Sequence, residues 1–392
     1  MKNSILITGP YLPGKSYGGP VKSLYNMVET LGDIYEIFII TNDRDLNSEV
    51  PYENVEIGKW NKVGKANVLY SPKDDFYRHL KEAISEKNFD IIYCSSFFAK
   101  LTLLVHILSL LKRIRVPIII APRGEFSIGA LGIKTFKKKA YLILYKLLKM
   151  HKKVTFTCST EKDKKDIERV FGRNIAVHKA SNIVGNRNDT PNRAREKVSG
   201  EIKIVTVSRV SSIKNIDYSL ELLLKIAQRK LPFNNIIFDI YGPIEDRNYY
   251  NECMDIISKI NTKIKVTFKG IIDYEDVMKT LNKYHIFLFP TKGENFGHVI
   301  QEALLSGCPV IISDQTPWRG LQELGVGFEF PLTNDDKFIE AIKFYLNMDN
   351  RDFSPYSQKA FEYGVYKVDS QLGIEEHLNL FNQIIDKGIG DE

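Results

Sequence analysis

Short runs of β-branched and aliphatic residues alternate with longer stretches of helical period along almost the whole chain. In the first half, Ser4–Thr8, Glu36–Thr41, Ile91–Ser95, Ile118–Ala121, Val154–Cys158 and Ile175–His178 have the look of buried parallel strands. Helical patterns fall between them at roughly 75–87, 98–114, 134–151 and 160–172. Another helix is predicted from Pro20, a favoured first helical position, after a glycine- and proline-rich loop, Gly9 to Gly19. Residues 182–199 are polar, carry Gly and Pro and lack periodicity, which marks a linker. The alternation then restarts, with strands predicted at Lys203–Val207, Ile236–Tyr241, Ile264–Lys269, Ile286–Pro290, Pro309–Ser313 and Gly327–Phe330. The pattern predicts an α/β protein of two doubly wound, Rossmann-like domains, 1–181 and 201–367, joined by a linker at 182–200. A C-terminal helix in 368–392 would return to the first domain. Such domains face each other across a cleft at the carboxyl ends of their strands, where ligands bind.

Length agrees, since 392 residues exceed one ordinary core. A hydrophobic share of 43% and a charged share of 26% describe a globular protein. Cys94, Cys158, Cys253 and Cys308 are scattered without paired spacing, so they read as small buried apolar residues in a reducing compartment. The chain enters a strand at Ser4 with no signal-peptide pattern, and its longest apolar stretch, Leu101–Leu111, is too short to span a bilayer. A cytoplasmic protein is expected.

The net charge of +7 is local. Lys134 to Lys153 holds eight lysines and no acid, leaving the remainder of the chain at −1. That excludes a general nucleic-acid binder. Within the stretch, Phe136, Ala140, Ile143, Leu144, Leu147 and His151 fall on one helical stripe, with Tyr141 and Tyr145 among the lysines. A helix docked on its own sheet would show the same stripe. The charge pattern suits attraction to an anionic membrane surface.

The candidate chemistry lies where strands end and helices begin. Glu294 stands on the loop after one predicted strand, and Glu302, eight positions on, stands two turns into the following helix. The helix start between them, Asn295-Phe296-Gly297, offers N–H groups and a positive dipole end to a phosphate. Arg209 and Lys214 bracket the loop Ser208–Asn215 after the first strand of the second domain. Two cations there suit a diphosphate, Arg by its fork and Lys as a point charge. Gly242 ends the next strand, either as a plain turn or to bring backbone near a nucleotide. Gly18 and Gly19 close the first loop. Arg123 and Glu125 share one tight loop in the first domain, where they could orient a sugar hydroxyl or pair with each other.

Together these loops resemble the retaining glycosyltransferases of family 4 (glycosyl transferases group 1), which have the two-domain GT-B fold. The elements carrying the resemblance are Glu294 and Glu302 with seven residues between, Arg209 with Lys214, and Gly18-Gly19, in that family's order. The resemblance implies that Glu294 contacts the donor sugar and Glu302 the ribose hydroxyls. It implies that Asn295, Phe296 and Gly297 present backbone to sugar and phosphate. Arg209 and Lys214 would hold the diphosphate in place of a metal, and no metal or cofactor is expected. Three positions depart from the family pattern: Arg123 stands where many relatives carry a sugar-touching His, Ser208 where a Gly precedes the Arg, and His298 where an apolar residue is common. The implied partners are a nucleotide-sugar donor and a glycan or polyprenyl-linked acceptor, with no nucleic acid. The rival readings are a nucleotide-sugar epimerase on the same fold and an inactive relative that docks on membranes or polyanions. Intact Glu294, Glu302, Arg209 and Lys214 argue against decay.

Overall fold

The computed structural model describes residues 2–389 apart from 47, 133–134, 184–194, 229–232, 261–262, 274–275 and 368–369. Most of the predicted linker and Lys134 therefore lie outside the described residues. The chain divides into two compact units, 1–186 with 369–392, and 187–368.

In the first unit the strands are β1 (Ser4–Thr8), β2 (Glu36–Asn42), β3 (Trp60–Val63), β4 (Ala66–Ser71), β5 (Ile91–Cys94), β6 (Ile118–Ile120), β7 (Thr155–Cys158) and β8 (Val177–Lys179). They form one sheet in the order β3-β4-β2-β1-β5-β6-β7-β8, parallel except where β3 runs antiparallel to β4. The β3–β4 hairpin is absent from the sequence-based strand set. Its outer strand reads Trp-Asn-Lys-Val and is only half-buried, so it carries no apolar run, while β4 is buried against β2. Gly64, at φ +54, makes the turn between them. The helix Ser370–Ile389 belongs to this unit. Leu380, Phe381, Ile384 and Ile385 enter the cluster around Ile5, Ile7 and Tyr93, and Tyr35 donates a 2.9 Å hydrogen bond to Asn382.

The second unit holds β9 (Glu201–Val207), β10 (Asn235–Tyr241), β11 (Ile264–Gly270), β12 (Ile286–Phe289), β13 (Val310–Ser313) and β14 (Gly327–Phe330). The sheet is all parallel in the order β11-β10-β9-β12-β13-β14. The order reverses between β9 and β12, so the loops leaving these two neighbours open a crevice at the switch point. In the first sheet the same reversal falls between β1 and β5. All four cysteines are buried and unbridged.

Candidate active site

The loop after β9 and the loop after β12 are stitched together. Asn215 donates to the Pro290 carbonyl at 2.8 Å, the Lys292 N–H to the Ile213 carbonyl at 2.8 Å, and the Thr291 hydroxyl to the same carbonyl at 3.0 Å. Asn215 itself sits at φ +58, which Asn tolerates better than most residues. The stitching brings Lys214 to Glu294, with Nζ 2.8 Å from Oε2. Both side chains are largely buried, and Lys214 also lies over the Phe289 ring at 5.4 Å. From Glu294 the chain turns into the helix His298–Leu305 through Gly297, whose φ of +80 and ψ of +56 are left-handed. A Cβ at Gly297 would come within 2.8 Å of Ile300 and 3.2 Å of the Trp318 indole nitrogen, so only glycine fits this turn.

Glu302 lies five residues into that helix and is buried. Burial pushes its carboxyl up to about 8, far above the ordinary carboxylate range. Glu294 and Glu302 thus differ in kind. One is a carboxylate on the loop after β12 that pairs with Lys214, the other a buried acid on the following helix.

Two features escaped the sequence reading. Arg209, expected to hold a diphosphate, is paired here with Glu245, its Nη1 2.6 Å from Oε1. Glu245 did leave a signal, since it follows Gly242-Pro243 in a loop already singled out. The second is the segment after β13. Its Gln315 carbonyl accepts the Glu294 N–H at 3.1 Å, and Trp318 donates to the Phe296 carbonyl at 2.8 Å. Glu329 on β14 anchors this segment by accepting the N–H groups of Gly320 and Leu321 at 2.7 and 3.0 Å. Nothing local in Gln315 or Trp318 signals these contacts. The Phe296 ring also lies 4.7 Å from His298.

Gly242 packs tightly at the end of β10. Its φ is +139, and a Cβ there would sit 1.9 Å from the Ser208 carbonyl oxygen. The glycine lets the β10 loop press on the Arg209 loop.

In the first unit, Gly18 adopts φ +65 with ψ −130, a conformation open to glycine, and Gly19 begins the helix Gly19–Leu31. Asp45 fixes the loop before them by accepting the N–H groups of Lys15 and Ser16, both at 3.0 Å. Arg123 and Glu125 turn to different partners. Arg123, at φ +50, donates through Nε to Ser95 at 2.7 Å. Glu125 accepts the Ser96 hydroxyl at 2.7 Å and the Phe97 N–H at 2.6 Å. Burial raises the Glu125 carboxyl, and its contacts tie down the chain after β5. Among the described residues no group of three or more His, Cys, Asp or Glu is placed to hold a metal ion.

Residues 188–360 match the family model described as Glycosyl transferases group 1. The match lies within the second unit. A curated relative, the GtfA subunit of the UDP-N-acetylglucosamine–peptide N-acetylglucosaminyltransferase of Streptococcus parasanguinis, is 28% identical over 171 residues, which cover 43% of this chain and 31% of the relative. The chain spans less than a third of the length of the curated relatives it matches. Among solved structures, Anabaena Alr3699/HepE in complex with UDP and glucose superposes with a TM-score of 0.69 at 15% identity, covering 97% of this chain and 100% of that one. WaaG, a glycosyltransferase involved in lipopolysaccharide biosynthesis, superposes at 0.66 with 13% identity, covering 95% and 98%. The fold is GT-B.

Proposed function

We propose that the protein is a retaining glycosyltransferase that moves a sugar from a nucleoside-diphosphate sugar to a hydroxyl of a glycan or lipid-linked acceptor in cell-surface polysaccharide synthesis. The observation that carries this reading is the cluster at the second sheet's switch point, where Lys214 pairs with Glu294 directly before the helix that bears the buried Glu302. The matched family domain supports it, as do the UDP in the HepE complex and the lipopolysaccharide role of WaaG.

In retaining transfer, positive charge grows on the sugar carbon while negative charge grows on the departing diphosphate. Arg209 and Lys214 are the cations for the diphosphate, preorganised by the two stitched loops and standing in for a divalent ion. Glu294 orients the donor sugar, with the Asn295–Gly297 backbone beside it, and Glu302 receives the ribose. The two ion pairs then describe the resting site, in which carboxylates occupy the cations until a diphosphate arrives. A thermal-shift panel of nucleotide sugars tests the assignment. A true donor at about a hundred times its dissociation constant adds about 2.7 kcal/mol, and that donor should then release its nucleoside diphosphate in the presence of acceptor. Absence of stabilisation by every nucleotide and nucleotide sugar would overturn the reading.

The acceptor's setting follows from the helix Thr135–Leu147. Its apolar stripe does not dock on the sheet. Tyr145 turns inward and is 3% exposed, packed against Phe97 and His106, while Phe136 is 86% and Leu147 73% exposed, with Ile143 and Leu144 beside them. The expectation that both tyrosines stand among the surface lysines is thereby corrected. Large apolar side chains ringed by exposed lysines such as Lys137, Lys139, Lys146 and Lys149 fit an anionic bilayer, which takes up both kinds of group. No helix among the described residues is long and apolar enough to cross a membrane. We therefore place the enzyme peripherally on the cytoplasmic face, beside a lipid-linked acceptor. Sedimentation should recover it with anionic vesicles at low salt and much less with neutral vesicles or at high salt. Phe136→Glu with Leu147→Glu should abolish recovery. Equal recovery with both vesicle types, or with the double variant, would refute membrane docking.

A further inference from the structure

The pairing of Arg209 with Glu245 is more than a surface ion pair. Gly242 presses the β10 loop onto Ser208, and backbone bonds continue the contact: Val210 N–H to the Pro243 carbonyl at 2.8 Å, and Glu245 N–H to the Val210 carbonyl at 3.2 Å. Asp246, the next residue, is fixed in turn as the cap of the helix Arg247–Ile257, accepting from Asn248 and Tyr249 at 3.0 and 3.1 Å. The Glu245 backbone is therefore held in place from both sides, which keeps its carboxylate within reach of Arg209. Yet each side chain is about one-third exposed (33% and 31%), so solvent and ions can compete for the pair. Only one guanidinium nitrogen of Arg209, Nη1, is engaged by a side chain among the described residues, which leaves the rest of the fork for a phosphate.

The geometry points to Glu245 as a positioning residue that favours product release, re-pairing with Arg209 as the nucleoside diphosphate leaves. This rests on the diphosphate site proposed above. The physical reason is a charge difference between donor and product. In the donor the terminal phosphate is esterified to the sugar; after transfer that oxygen is free and the diphosphate carries more negative charge. A fixed carboxylate beside the Arg that binds it repels the product more than the donor. The held backbone keeps that carboxylate within reach of Arg209 throughout.

Calorimetry with UDP on the full chain tests this, using wild type, Glu245→Gln, Arg209→Met, Lys214→Ala and the Glu245→Gln/Arg209→Met double variant. Gln keeps a hydrogen-bond acceptor and removes the charge. Glu245→Gln should tighten UDP about fivefold, a change of about 1 kcal/mol, with the gain shrinking as salt rises. UDP-glucose, carrying less charge, should gain less than UDP. In the Arg209→Met background the same substitution should change UDP affinity less than it does alone, because without the shared arginine the diphosphate is no longer drawn against Glu245. If Glu245→Gln weakens UDP or leaves it unchanged while Arg209→Met weakens it, Glu245 merely braces Arg209; the release role fails and the diphosphate site stands. If neither Arg209→Met nor Lys214→Ala weakens UDP, the diphosphate site fails and the inference goes with it.

Discussion

Glu294→Ala should lower sugar transfer by roughly 10²-fold or more while leaving UDP bound as tightly as before or tighter. Glu294 is the carboxylate that Lys214 holds at 2.8 Å, on the loop after β12. If its partner in the reacting complex is the donor sugar, its loss leaves the nucleotide contacts intact and frees Lys214 for the diphosphate. Glu302→Ala should behave in the opposite way. It is buried on the helix His298–Leu305, and its proposed partner is the ribose, so UDP itself should bind less well. Removing a hydrogen bond to a buried group commonly costs about 1–3 kcal/mol, or roughly five- to 150-fold in affinity. Calorimetry with UDP and turnover with the donor, on variants whose melting temperature stays near wild type, separate the two roles. Equal loss of UDP affinity in both variants would show that the division is wrong.

Glu302 should also make the protein less stable as pH rises from about 4.5 to about 8. The ordinary carboxyl value is 4.5 and burial moves the folded-state value to about 8. Between those limits the unfolded chain has lost the proton that the folded chain retains. Folding then takes up a proton, and stability falls with pH by up to about 1.4 kcal/mol per unit. Below 4.5 both states hold the proton and above 8 neither does, so the dependence vanishes outside the window. Glu302→Gln keeps the shape and cannot ionise. Its melting temperature should therefore gain on wild type steadily between pH 5 and pH 8, with no further gain beyond. A constant difference across that range would mean that the acid is not held protonated by burial.

Much of the fold was legible because its signal is local. A strand such as Ile286–Phe289 or Val310–Ser313 is a continuous apolar run, since both its faces are covered, and the runs alternate with helical periods throughout. The β3–β4 hairpin was not legible, because a half-buried edge strand like Trp60–Val63 needs no such run. The candidate loops could be read for the same reason as the strands: Arg209, Lys214, Glu294 and Glu302 each follow a strand end, where a doubly wound sheet opens its crevice.

What the sequence could not hold is the pairing of groups far apart in the chain. Lys214 meets Glu294 across 80 positions and Arg209 meets Glu245 across 36, and both pairs exist because β9 lies between β10 and β12. Strand order, not spacing, decided that the two cations carry carboxylates. Glu125 shows the same limit, as a charged residue in a polar loop became a half-buried brace for the chain after β5. The helix Thr135–Leu147 is the clearest case. Periodicity alone established that Phe136, Ile143, Leu144 and Leu147 share one face, because a helix repeats every 3.6 residues in any surroundings. Which face turns inward depends on what the rest of the fold offers to pack against. Here the aromatic pocket of Phe97 and His106 takes Tyr145, and the aliphatic stripe is left to the solvent side.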